Sequence, residues 1–250
     1  ADPEVAPIFA EAGFEFMELS VQAQLKPEED ESEFLTELTK IEAAPIPCPV
    51  ANRFVPGHLK ITGPDVDLDA LTEYVLVAVE RAQQAGLDTI VFGSGGARRV
   101  PEGFSRTKAE QQLVAFGKII APLAQHYNIT VVVEPLNQKE CNILTGLRES
   151  ADYVRAVQHP HLQLLVDAYH WYLEEENAED IIACAPLLRH VHIATYDARL
   201  APGLEPCDFS EFFRGLREGN YNGRVSIEGR WSDMPNEAAG AFAELKRFAE

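Results

Sequence analysis

The stretch that decides the fold is NITVVVEPLNQKE, residues 128–140. Three consecutive valines make a short apolar run of the kind buried on both faces in a parallel sheet. The run ends abruptly in a carboxylate, Glu134, and a second, Glu140, follows six residues later. An acid at the mouth of a buried strand is costly unless something compensates its charge.

Working outward, the same design recurs. LQLLVDAYH (162–170), RHVHIATYD (189–197) and GRVSIEGRW (223–231) each read as a strand with polar chemistry at its C-terminal end. Earlier in the chain, GFEFMELSV (13–21), the proline-broken APIPCPVANRFVPG (44–57) and DTIVFGSGG (88–96) carry strand character. Between the strands lie helical patterns, among them LDALTEYVLVAVERAQQAG (68–86) and KAEQQLVAFGKIIAPLAQHY (108–127). Apolar residues at helical spacing and a closing glycine at Gly86 mark the first of these as an amphipathic helix. A further helical pattern, PEVAPIFAEAG (3–13), precedes the first strand.

Strict alternation of strand and helix over 250 residues predicts an α/β fold, a (β/α)8 TIM barrel in one domain spanning 1–250. Its first strand would precede Ala1, because seven strands are legible and the chain opens on a helix. A doubly wound open sheet is the alternative. Its best token, GSGGARR (93–99), lacks the glycine spacing of a dinucleotide-binding turn.

Composition narrows the function. Twenty-one Lys+Arg against 40 Asp+Glu leave a formal charge of −19, which disfavours a nucleic-acid partner. No apolar run is long enough to span a bilayer. Cys48, Cys141, Cys184 and Cys207 are scattered and read as unpaired thiols. With no signal peptide visible, the expected location is cytoplasmic.

In a barrel of this kind chemistry gathers at the C-terminal ends of the strands. Glu134, Asp167, His190 or His192, and Glu228 stand there, and a ring of such groups calls for a divalent cation. Strand alternation points His190 and His192 the same way, with Val191 and Ile193 toward the helices. His192, nearer the strand end, is the favoured ligand, and His190 is a candidate for a deeper supporting group. Glu18 is a candidate for the rim or for an ion pair, and Trp231 for closing over the pocket.

The series VVVEPLNQKE (131–140), LLVDAYH (164–170), RHVHIA (189–194) and VSIEG (225–229) resembles the xylose isomerase-like barrel superfamily, in its sugar isomerase and epimerase branch. The likeness runs from EAGFEFMELS (11–20) to the last helix. It implies one divalent ion held by Glu134, Asp167, His192 and Glu228, with Mn²⁺ first and Mg²⁺, Co²⁺ or Zn²⁺ as alternatives. It also implies that Glu134 and Glu228 act as the paired catalytic acid and base, and that Glu140 and His170 contact substrate. The family's substrate arginine falls where this chain has Ala198, so Arg199, Arg98 and Arg99 are the candidates for that contact. The implied activity is isomerisation or epimerisation of a small keto-sugar or related hydroxy-carbonyl compound through an enediolate, in an enzyme that relatives build as dimers or tetramers. The alternatives are a dehydratase or lyase acting on a cyclitol or 3-keto-sugar, an endonuclease IV-type repair enzyme, and a non-catalytic sugar-binding barrel. The repair enzyme requires extra histidines on early strands, which this chain lacks.

Overall fold

The computed structural model describes residues 1–249. Seven parallel strands form one sheet in sequence order: β1 (Glu18–Ser20), β2 (Val50–Asn52), β3 (Thr89–Phe92), β4 (Thr130–Val133), β5 (Leu162–Asp167), β6 (Leu188–Ile193) and β7 (Arg224–Ile227). Sequential order without reversal is the topology of a barrel wall and not of a doubly wound sheet. The sheet order runs from β1 to β7, and among the described residues those two strands do not pair, so the wall is a nearly closed barrel of seven strands.

Helices cover the outside. They are α1 (Ala6–Ala12), α2 (Glu31–Ala43), α3 (Leu68–Gln84), α4 (Gly95–Arg98), α5 (Arg106–His126), α6 (Leu147–Val157), α7 (Ala168–Leu173), α8 (Ala178–Cys184), α9 (Ser210–Glu218) and α10 (Met234–Ala249). Local chemistry sets their ends. The Asp67 carboxylate accepts from the amides of Asp69 and Ala70 and starts α3. Just past its end, Gly86 takes φ +76, the left-handed region where a side chain is strained.

Period-two alternation sorts the strand residues. Leu19, Ile90, Phe92, Val131, Val133, Val191 and Ile193 join the large core between sheet and helices. The opposite face carries a small separate layer, Val50, Val91, Val132 and Leu165, with Phe16 against it. That layer fills the barrel interior. Two residues further along each strand, the next inward position lies above it, at Glu18, Asn52, Gly93, Glu134 and Asp167. The structure therefore turns a packing rule into a site.

Strand lengths differ from the sequence reading. The run 13–21 narrows to Glu18–Ser20, and Val21–Leu25 coils into a π-helical turn capped by Ser20. The strand expected to reach His170 stops at Asp167, whose carboxylate accepts from the Tyr169 amide (2.8 Å) and begins α7. The glycine-rich GSGG, legible in sequence only as the end of a strand, opens the short helix α4. The four cysteines are free thiols. No helix among the described residues is long and apolar enough to cross a membrane.

Candidate active site

Four donors converge at the C-terminal end of the barrel. Glu134 follows β4, Asp167 ends β5, His192 is the penultimate residue of β6 and Glu228 follows β7. Ligand atoms of all four lie within 4.8 Å of one another. The sheet register makes the convergence unavoidable: Asp167 stands beside His192, and His192 beside Ser226, two residues before Glu228. A register shift between Leu164 and Leu165 brings the end of β5 level with its neighbour. Backbone bonds fix the other two, since the Glu134 amide donates to Phe92 O and the Glu228 amide to Ile193 O.

Each ligand candidate is held by a partner. His192 Nδ1 faces Glu134 Oε1 at 3.2 Å and Glu228 Oε2 at 3.5 Å, while its Nε2 lies 3.0 Å from both oxygens of Glu18. An ionised Glu18 accepts the Nε2 proton, so that Nδ1, once it gives up its own proton, directs a lone pair at the cluster. This is the arrangement in which a carboxylate fixes the tautomer of a metal-ligating histidine. Glu18 also accepts from His190 Nε2 (3.1 Å), so His190 sits one layer deeper, fully buried, with Ser226 Oγ at 3.0 Å. Asn52 Nδ2 donates to Glu228 Oε1 (2.7 Å). Gly93 occupies the inward position next to Glu134, where any Cβ would collide with the Glu134 carboxylate.

The electrostatics are uneven. Burial and the neighbouring Glu228 charge push the Glu134 carboxyl up from its ordinary value. Burial would raise Glu228 too, but the His192 charge and hydrogen bond, followed by the Arg199 guanidinium, hold it down to about 2. Burial likewise opposes ionisation of Glu18, and the charges and hydrogen bonds of His192 and His190 outweigh it and hold that carboxyl low. Burial lowers His190. It also opposes charge on His192, yet Glu18, Glu228 and Glu134 drive that imidazole well above its ordinary value.

Beside the cluster, Arg199 lies over the Tyr169 ring, with Cζ 4.8 Å from its centroid, and reaches Asp167, Glu228 and Glu140. His170 is buried on α7, not at a strand end, and its Nδ1 lies 2.8 Å from Asn137 Nδ2. Asn137 also donates to Glu140 Oε1 (3.1 Å), so the loop after β4 ties His170 and Glu140 together. A cavity of about 540 Å³ opens above these groups, bounded by Glu18, Asn52, Glu140, Tyr169, Arg199 and Glu228 on one side and by Phe9 and Trp231 on another.

The other two arginines lie elsewhere. Arg98 is fully buried and donates to the carbonyls of Phe92 (3.0 Å) and Glu134 (2.7 Å), bracing the ends of β3 and β4. Its guanidinium is thereby committed to backbone carbonyls and lies outside the lining of the cavity. Arg99 is exposed and donates to Lys139 O at 3.3 Å, outside the cavity. The sequence reading passed over Asn52 and Asn137 as site residues. Their signal was available as an inward polar residue one period beyond Val50, and as an Asn between two acids in EPLNQKE.

Fold and cluster together define a class of protein, parallel β/α barrels that gather acids and an imidazole at the carboxyl ends of their last strands. The chain belongs to the xylose isomerase-like TIM barrel family, whose sequence pattern matches residues 7–250. Among curated relatives, the 3-dehydro-D-guloside 4-epimerase of Escherichia coli K12 is 34% identical over 114 residues, 45% of this chain and 43% of that protein. A putative hydroxypyruvate isomerase of Mus musculus is 30% identical over 170 residues, 64% of this chain and 60% of its own length. The fold of D-psicose 3-epimerase from Clostridium cellulolyticum H10, solved with D-tagatose, superposes with a TM-score of 0.86 at 18% identity, covering all of this chain and 94% of that one.

Proposed function

We propose that the protein is a metal-dependent isomerase or epimerase of a small keto-sugar or keto-glycoside, acting as a single barrel domain over residues 1–250. The observation that carries this reading is the convergence of Glu134, Asp167, His192 and Glu228 within 4.8 Å. Three carboxylates and one imidazole form a hard, oxygen-rich donor set that fits a divalent cation such as Mn²⁺. The frustrated Glu134, a buried acid beside another acid, fits the same conclusion, because a cation there offsets both penalties. The named activities of the relatives, sugar epimerisation and hydroxypyruvate isomerisation, support the reaction class.

When bound, the cation would supply Lewis-acid polarisation of the substrate carbonyl. The protein's own residues do the remainder. Glu134 reaches the cluster from the end of β4 and Glu228 from the end of β7, and one takes the proton from the carbon next to the carbonyl while the other returns it. Delivery to the opposite face of the same carbon epimerises; delivery to its neighbour isomerises. Asn52 holds Glu228 in register through Oε1, and Oε2 faces His192 and Arg199. Glu18 orients His192, and Glu140 and Arg199, which line the cavity, offer polar contacts to substrate hydroxyl groups, with His170 buried behind them. Phe9 and Trp231 provide an apolar wall against which a sugar ring packs.

The test is deuterium exchange. Protein stripped with chelator and reloaded with Mn²⁺ is incubated with a panel of ketoses and 3-keto-glycosides in D₂O and followed by NMR. Solvent deuterium should appear at a retained carbon beside the carbonyl. Glu134→Gln and Glu228→Gln should each slow exchange by roughly 10²–10⁴-fold, the usual contribution of a positioned acid or base. Near-normal turnover in both variants would end the two-carboxylate scheme. Appearance of a new double bond or dicarbonyl would reassign the reaction to elimination.

A further inference from the structure

We infer that Arg199 contests the site with the divalent ion: its guanidinium engages the carboxylate oxygens that a cation requires, and it thereby sets the affinity of the site for metal. The inference rests on the proposed function, because it concerns the same four donors.

The argument begins with which oxygens are already committed. Asp167 offers two; Oδ1 accepts from the Tyr169 amide at 2.8 Å and is used in starting α7. Glu228 offers two as well, and Oε1 accepts from Asn52 Nδ2 at 2.7 Å. The fold thus consumes one oxygen of each carboxylate and leaves Asp167 Oδ2 and Glu228 Oε2. A single nitrogen, Arg199 Nη2, donates to both, at 3.2 Å and 2.5 Å. The same atom stands 3.5 Å from His170 Nε2.

Backbone placement makes this more than a chance rotamer. Arg199 adopts φ +53, a left-handed conformation that costs an ordinary side chain energy and persists only where the surroundings enforce it. They do so here. The loop after β6 is closed by Thr195 N to Leu200 O (2.9 Å) and Leu200 N to Thr195 Oγ1 (2.8 Å), and the Arg230 amide donates to Arg199 O (2.7 Å). Leu200 also forms an isolated bridge with Arg230. From this anchored position the side chain passes over Tyr169, which supports the guanidinium by a cation–π contact, and Nη1 lies 3.5 Å from Glu140 Oε1.

Two effects follow for a cation. An ion on Asp167 Oδ2 and Glu228 Oε2 competes with those hydrogen bonds for the same oxygens. A fixed positive charge a few ångströms away also repels a divalent ion, by kilocalories per mole at the effective dielectric of a half-buried site. Removing the charge should therefore tighten ion binding, the reverse of what loss of a ligand or a support does. Opposite signs for Arg199 and Asp167 variants distinguish competition from general damage to the site.

The measurement is Mn²⁺ binding by electron paramagnetic resonance of the free ion, titrated into the chelator-stripped protein without substrate. Arg199→Gln should bind Mn²⁺ about tenfold more tightly or better, and Arg199→Lys, which keeps the charge without the planar fork, should fall between the two. Asp167→Asn in the same experiment should bind more weakly than the parent. Equal or weaker binding by Arg199→Gln in a protein with unchanged circular dichroism overturns the competition. Failure of the parent protein to bind Mn²⁺ at all would instead remove the functional reading beneath it.

Discussion

The two mouths of the barrel use charge in opposite ways. At the N-terminal mouth, Arg224 in β7 donates through Nη1 to Asp88 Oδ2 at 3.0 Å, through Nη2 to Asp88 Oδ1, and to Thr89 Oγ1 at 3.2 Å. One guanidinium meets one carboxylate in a bidentate pair, and Asp88 is held below its ordinary value by that partner although burial opposes it. At the C-terminal mouth, Glu18, Glu134, Asp167 and Glu228 surround His192, with Arg199 as the nearby guanidinium. The Asp88–Arg224 pair matches its charges, whereas the C-terminal cluster carries surplus carboxylate. The surplus identifies the functional end without any appeal to loop length or cavity size.

The comparison breaks first at Glu18. Glu18→Ala should weaken Mn²⁺ binding by roughly 10- to 100-fold, the usual cost of losing the carboxylate behind a ligating histidine. Glu18→Gln, whose amide oxygen still accepts the Nε2 proton of His192, should recover part of the loss. Calorimetric titration of both variants checks this. Identical affinities for the parent and Glu18→Ala would reduce Glu18 to an ordinary ion pair like the one at the opposite mouth.

A smaller effect is expected at Glu176, a carboxyl near the rim whose Oε1 accepts from the Leu147 amide at 2.7 Å. Burial is the main cause that pushes it up to about 7 from 4.5, with Asp180 and Glu174 adding repulsion. The folded protein therefore holds this proton more tightly than the unfolded chain does. The resulting penalty is absent below pH ~4.5, grows through pH ~7 and is complete above it. Glu176→Gln keeps an acceptor for Leu147 and removes the charge. It should stabilise the protein by about 1 kcal/mol at pH 8, after discounting for partial solvation, and by nothing at pH 4. Urea unfolding at the two pH values measures the difference; a gap that is the same at both would contradict the assignment.

The smallest change belongs to the balanced mouth. Arg224→Met should cost about 0.5–1 kcal/mol, as partly exposed ion pairs do, and leave Mn²⁺ affinity untouched. A shift in metal binding from that substitution would mean that the two ends of the barrel are coupled through β7.

Much of this was legible before any coordinates. Apolar runs ending in Glu134, Asp167 and Glu228 pointed to both the parallel strands and the ligand candidates, because buried parallel strands are largely apolar segments and an acid at their end stands out. The period of two in HVHI placed His190 and His192 together on the inner face. Other features were less readable. Arg98 and Arg99 look equivalent in GGARRV, yet one braces two strand ends from the interior and the other lies on the surface. The π-helical turn after β1 and the helix that begins at Asp167 depend on side-chain caps that compete with strand formation over one or two residues.

The sequence alone determined the alternation of strands and helices, and with it the face and the end of the barrel on which each acid must stand, since side-chain direction along a strand follows from backbone geometry. Only the tertiary structure decided which partners those acids meet. Glu18 reaches His192 across 174 positions of chain, and Asn52 reaches Glu228 across 176. Contacts of that span are set by barrel closure and strand register, which no local pattern encodes.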